Sequence, residues 1–326
     1  MPESSPSVLI IRLDAIGDAL ALTPLLAELR ARAIPVDVVL RRGNSDVFAS
    51  RAARRILMAT FDLRTSRPSN RAAIERFGEE LASQNYTHAL VATEDPGGYQ
   101  LARATRATVR VGFSNAWGKP LKTLWSRAFL TDVVYRSAGF DSRAPHECEV
   151  LFTLGSTLLG ADAAPTRDAE RLRPLVLENE PRADARVAIQ ITDKWERLGI
   201  AFERVVELLQ RIGALVGEGR LHLIAAAGEG QYADGITRIT GLHVERFAST
   251  QPWQAAIAAS TALVAPDSGA LHVAGMVGTP TVAVFPPAHD FALQVARWAP
   301  WSAPHRIVRA ERDWPKQAAD ALAQLL

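Results

Sequence analysis

Two carboxylates stand four residues apart in Arg12-Leu13-Asp14-Ala15-Ile16-Gly17-Asp18. The apolar run Val8 to Leu13 precedes them. Both therefore sit at the C-terminal edge of a strand, where open α/β sheets bind ligands. Gly17 permits a tight turn, and Asp18 then falls at a helix start. A carboxylate there can cap the helix or act as a general base toward a bound hydroxyl. Asp14 is open to either role. A second group lies in Gln190-Ile191-Thr192-Asp193-Lys194-Trp195, after another apolar run. Thr192 can donate to a phosphate oxygen, and Lys194 is a compact cation suited to pyrophosphate. A surface lysine is the plainer reading of Lys194, weakened because the chain has only four lysines.

The third group is Ala265-Pro266-Asp267-Ser268-Gly269-Ala270-Leu271-His272, followed by a small-residue helix and by Gly278-Thr279-Pro280-Thr281-Val282-Ala283-Val284-Phe285. This reads as strand, turn, helix and strand. Free N–H groups at Ser268 to Ala270 and the positive helix end attract phosphate. His272 falls one turn in, on the face of Gly269, where it is either a core histidine or a phosphate contact. Gly228-Glu229-Gly230-Gln231-Tyr232-Ala233 matches the dinucleotide pattern G-x-G-x-x-A, which raises an NAD enzyme as an alternative. The match follows the second strand of its domain, whereas the fingerprint belongs on the first. Glu229 can instead reach a ribose or base from the same edge. No Asp-x-Asp pair and no metal-binding spacing appears, so no metal and no cofactor is expected.

These residues need two parallel sheets to hold them. Strand patterns at Val8–Leu13, Val36–Leu40, Ile56–Thr60, Ala89–Thr93 and Val109–Val111 alternate with helical stretches at Gly17–Ala33, 44–54, 70–84 and 97–105. The Gly17–Ala33 helix is expected to begin properly near Thr23, with Pro24 at its first position. Residues 113–146 break the rhythm and predict a long loop, and a helix at 147–160 follows. The proline-rich, charged stretch 166–186 is the expected linker between a domain at 1–165 and another at 187–326. In the second half, strands at Val187–Ile191, Leu221–Ala226, Leu242–Val244 and Ala262–Ala265 alternate with helices at 201–216, 231–240 and 253–259. The tail Pro315 to Leu326 predicts a helix packing back on the body. The fold class is α/β, with two Rossmann-like doubly wound parallel-sheet domains facing across a cleft.

At 326 residues the chain accommodates two ordinary domains. Its 48% apolar and 22% charged residues describe a soluble globular protein. The single cysteine, Cys148, excludes an intramolecular disulfide and a cysteine zinc site and suits the cytoplasm. The uncharged stretches 247–266 and 268–289 are broken by Pro and Gly and read as buried core. Net charge is +2, yet segment 41–76 has nine arginines against three acidic residues, a net +6. Such a patch is either a solvated face or a site for an anionic partner.

In this order the residues resemble glycosyltransferase family 9, the ADP-heptose:lipopolysaccharide heptosyltransferases. Ile11 to Pro24 resembles the N-terminal motif of the family, and Pro266 to His272 with Gly278 to Phe285 resembles its donor-binding motif. Arg110-Val111-Gly112-Phe113 and His146-Glu147 fall where the family has similar elements. One departure is Trp195-Glu196-Arg197, where the family more often has Trp-Pro. The resemblance implies a GT-B fold and an inverting, metal-independent sugar transfer. The implied donor is a nucleotide diphosphate sugar, ADP-heptose by family. By position, Asp18 is the implied base. Thr192, Lys194, Glu229, Asp267, Ser268, Gly269 and His272 are the implied donor contacts. Arg41, Arg42, Arg64 and Arg67, from the basic segment, are assigned to an anionic glycan or glycolipid acceptor of the lipopolysaccharide core. Expected partners exclude nucleic acid and include transient contact with the inner face of the cytoplasmic membrane, with a cytoplasmic, peripheral location. The rival from another class is a non-catalytic nucleotide-sugar or glycan-binding protein on the same scaffold.

Overall fold

In the computed structural model the chain is described over residues 5–63, 67–136, 145–160, 162–226 and 228–326. It divides into two compact units, Met1–Thr166 and Arg167–Leu326. The first holds six strands: β1 (Val8–Arg12), β2 (Val36–Leu40), β3 (Arg55–Met58), β4 (His88–Val91), β5 (Val109–Ser114) and β6 (Asp132–Tyr135). They pair in parallel in the order β3-β2-β1-β4-β5-β6. The second holds β7 (Asp184–Gln190), β8 (Leu221–Ala225), β9 (Val244–Arg246), β10 (Ser260–Pro266), β11 (Thr281–Phe285) and β12 (His305–Arg309). These are also parallel, in the order β12-β11-β10-β7-β8-β9. Counted from its own first strand, each sheet has the 3-2-1-4-5-6 doubly wound order. The order reverses between β1 and β4 in one unit and between β7 and β10 in the other. In sheets of this order, ligands bind outside the carboxyl ends of the strands beside the reversal.

The central strands are apolar because helices cover both faces of such a sheet. Every residue of β1, β2 and β11 is buried. Trp195, fully buried, stacks on Trp314 with ring centroids 5.5 Å apart, tying the loop after β7 to the C-terminal helix Trp314–Ala323. That helix buries Trp314, Ala318 and Leu322 in the core of the second unit. Helix Gly269–Val277 is apolar nearly all round and packs close to backbone. A Cβ on Gly275 would lie 2.6 Å from the Trp301 nitrogen.

Several elements differ from the sequence expectation. Residues 44–54 form no α-helix; two short 3-10 turns, Arg42–Asn44 and Ser50–Ala52, replace it, beside a run of Gly43, Asn44 and Ser45 that favours turns. The segment 113–146 is more than a loop, since it contributes helix Pro120–Ser126 and the edge strand β6. The stretch 166–186 contains helix Ala169–Val176, whose Arg173 donates to the carbonyl of Val277 at 3.0 Å. Residues 147–160 break into Glu147–Phe152, a 3-10 turn and Ser156–Leu159.

Candidate active site

Both candidate groups fall at the reversal points. Strands β7 and β10 are adjacent and parallel, so the turns after them meet at one edge of the second sheet. In the turn after β7, the Thr192 hydroxyl donates to Glu229 Oε1 at 2.7 Å, and the Asp193 amide donates to Glu229 Oε2 at 2.9 Å. The Lys194 amide donates to Thr192 Oγ1 at 3.1 Å. The buried Trp195 indole donates to the Gln190 carbonyl at 3.0 Å. This bracing fixes the backbone on both sides of Lys194. Its ammonium is half-buried and has no ion-pair partner among the described residues. Thr192 and Glu229 thus bind each other, and the Glu229 carboxylate is occupied within its own unit.

After β10, Ser268 caps helix Gly269–Val277 in an extended conformation without a side-chain capping bond. Its Oγ is buried and unpartnered. The amides of Gly269 and Ala270 are first-turn donors with no acceptor inside the helix. Burial raises the Asp267 carboxyl above its ordinary range, against an opposing pull from Lys194. Burial, with the Lys194 charge adding to it, pushes the His272 imidazole down to about 3. His272 is therefore neutral near pH 7, and its ring meets Trp298 edge-on at 5.4 Å. One ammonium, one free hydroxyl and a helix N-terminus on one edge can hold an anion.

In the first unit, Asp18 lies in the short helix Ile16–Leu20, 29% exposed. Its Oδ2 accepts the Ala15 amide at 3.1 Å, and its Oδ1 accepts from Arg12 Nη2 at 3.1 Å. Asp18 therefore caps its helix and also presents a carboxylate outward. Arg12 is 2% exposed, although it ends an apolar strand. Its guanidinium also donates to the Ala92 carbonyl, lies 3.5 Å from Asp14 Oδ2, and reaches Glu147 Oε1 at 3.5 Å. Glu147, itself buried, binds Arg136 Nη2 at 2.8 Å. Arg136 and Lys122 in turn contact Glu94. Burial opposes ionisation of Glu94, but the Lys122 hydrogen bond and the cations around it hold its carboxyl below the usual range. The Asp14 carbonyl accepts Asn44 Nδ2 at 2.8 Å, which ties the turn carrying Arg41 and Arg42 to the same edge.

Residues 251–324 match the model of glycosyltransferase family 9 (heptosyltransferase). The fold of the whole chain is shared with solved family 9 structures. Its fold matches a family 9 glycosyltransferase from Veillonella parvula at TM-score 0.73 and 15% identity, covering 100% of this chain and 98% of that one. It matches the E. coli heptosyltransferase WaaC with ADP at TM-score 0.72 and 18% identity, covering 98% of each chain. It matches E. coli ADP-heptose lps heptosyltransferase II at 0.70 and 17%, again covering 98% of each. No curated protein sequence matches the chain.

The basic segment is less free than its composition implies. Asp37 lies on β2, outside the segment, and is fully buried. It accepts from Arg54, Arg55 and Tyr86. Burial opposes its ionisation, yet those bonds hold its carboxyl below the ordinary range. Arg41, Arg42 and Arg67 are exposed; Arg64 lies outside the described residues. The G-x-G-x-x-A motif follows β8, away from the reversal point, and its Glu229 is engaged by Thr192 and Asp193. Glu245 binds His222 at 2.6 Å. Sequence reasoning missed Arg12, Glu147 and Arg136 as members of the Asp18 cluster. The available signal was an arginine closing a strand otherwise buried throughout.

Proposed function

We propose that this enzyme transfers a heptose from ADP-heptose to a phosphorylated lipopolysaccharide-core glycan or related acceptor, with inversion. The observation that carries the donor reading is the unpaired Lys194 ammonium, felt electrostatically by Asp267 and His272, on the same sheet edge as the unpartnered buried Ser268 hydroxyl and its helix N-terminus. The solved WaaC structures with ADP and with ADP-2-deoxy-2-fluoro heptose support a nucleotide diphosphate donor.

Asp18 accepts the proton of an acceptor hydroxyl as its oxygen bonds to the anomeric carbon. The bond from that carbon to the diphosphate oxygen breaks on the opposite face, and inversion follows. Lys194, Ser268 and the amides of Gly269 and Ala270 take the charge developing on the leaving diphosphate. His272, being neutral, donates or accepts one hydrogen bond there without adding charge. Asp267 lies beside them, and Thr192 and Glu229 hold the turn that carries Lys194. Arg41, Arg42, Arg64 and Arg67 meet acceptor phosphates. The protein works from the cytoplasmic side of a membrane that displays the acceptor.

Replacing Asp18 with Asn tests the base. Transfer from ADP-heptose is expected to fall by about 10²–10⁴-fold, with ADP affinity unchanged by calorimetry. Turnover at the wild-type rate removes Asp18 from the role. A chain that binds ADP-heptose but transfers nothing to any glycan acceptor is the binding-protein alternative.

A further inference from the structure

We infer that the surface built by helix Pro120–Ser126 and the edge strand β6 docks on an anionic lipid bilayer. Eight large hydrophobic side chains are well exposed among the described residues, and five of them lie between 121 and 135. Leu121 is 83% exposed, Leu124 72% and Trp125 37%, at the i, i+3, i+4 spacing of one helix face. Val133 and Tyr135 follow on β6 at alternate positions of one strand face, 40% and 68% exposed. Single exposed apolar residues are ordinary, but a cluster confined to fifteen residues marks an interaction surface.

The patch is held rigidly from behind. Trp125 meets Tyr99 at 5.4 Å and Phe129 at 4.7 Å. Lys122 on the same helix turns away to Glu94. Leu121 and Leu124 therefore project outward by construction.

Charge chooses the occupant. Residues 115–136 carry four cations against one acid, Asp132. Lys119 and Arg127 are exposed at the two ends of the helix. Behind Trp125 and Phe129, a groove of about 540 Å³ adds Arg71, Arg103 and Arg106 against Glu75 and Glu79. A second copy of the chain would bring one positive face against another. An anionic bilayer offers the opposite charge and an apolar interior for the leucines. Tryptophan and tyrosine beside basic residues suit the headgroup layer. No described helix is long and apolar enough to cross a membrane, so the contact lies in the interface plane. The chain Lys122–Glu94–Arg136–Glu147–Arg12–Asp18 joins this face to the Asp18 edge. The inference deepens the acceptor reading above but stands on this surface alone.

Co-sedimentation of the full chain with vesicles tests it. The wild type is expected on phosphatidylglycerol–phosphatidylcholine vesicles and to leave them at high salt. Leu121→Ser with Leu124→Ser should lower the partition coefficient by about tenfold or more at an unchanged unfolding temperature. Lys119→Glu with Arg127→Glu should erase the preference for anionic over neutral vesicles. Equal partitioning of the leucine double variant overturns the inference. So does a wild type that ignores vesicles and self-associates through Leu121 in light scattering. Loss of the Asp18 or donor assignments would leave these readouts unmoved.

Discussion

Arg12 shows how one side chain can organise a site. A guanidinium buried to 2% exposure survives because carboxylates and a carbonyl use its fork. Removing it leaves the buried Glu147 with less of its charge met, and Asp14 and Asp18 unsupported. Arg12→Ala is therefore expected to cost about 3–5 kcal/mol of stability, read by denaturant unfolding. Arg12→Lys should recover only part of this, since an ammonium lacks the planar fork. An unchanged midpoint for Arg12→Ala would show the cluster to be decorative. None of these partnerships was readable from the sequence, because Arg12 and Glu147 are 135 residues apart and ion pairing leaves no periodic trace. Asp18 and Lys194 were readable, because each follows an apolar run that ends abruptly.

Helix Gly269–Val277 and the turn at Lys194 carry their own consequences. Unfolded, an imidazole titrates near 6.5, whereas folded His272 sits at about 3. Between those values unfolding takes up a proton, so this residue makes stability fall as pH drops from 6.5 toward 3. The slope approaches about 1.4 kcal/mol per pH unit. Asp267, with its raised carboxyl, acts oppositely, losing stability as pH rises above its ordinary value. The difference between wild type and His272→Asn isolates the histidine, and the variant should melt with a flatter dependence between pH 6.5 and 4.5. Trp195→Ala removes a fully buried indole stacked on Trp314. It is expected to cost about 3–5 kcal/mol and to weaken ADP binding by freeing the Lys194 turn; an unaltered ADP affinity would separate the anchor from the site. The two strands that sequence patterning missed are both sheet edges. β6 and β12 pair on one side only, and β12 reads His-Arg-Ile-Val-Arg, with only two apolar residues. Edge strands lack the continuous apolar run that exposed β1 and β7.

For the molecule as a whole, donor binding should appear as added stability. A ligand at about 100 times its Kd contributes about 2.7 kcal/mol, so ADP should raise the melting temperature, and Lys194→Ala should abolish most of that rise. No shift with ADP in the wild type would remove the nucleotide from the donor. The doubly wound architecture followed from alternating strand and helix patterns, whereas its strand order did not, because order is set by crossovers that sequence periodicity does not record. That order has a practical corollary. Every strand ladder closes within its own half, five pairings in each sheet. The division between Thr166 and Arg167 therefore severs no ladder, and it is the natural seam for recombining the two halves with those of relatives. A hybrid spliced there keeps both six-stranded sheets whole, so the donor and acceptor roles proposed for the two halves can be tested by exchanging one half at a time.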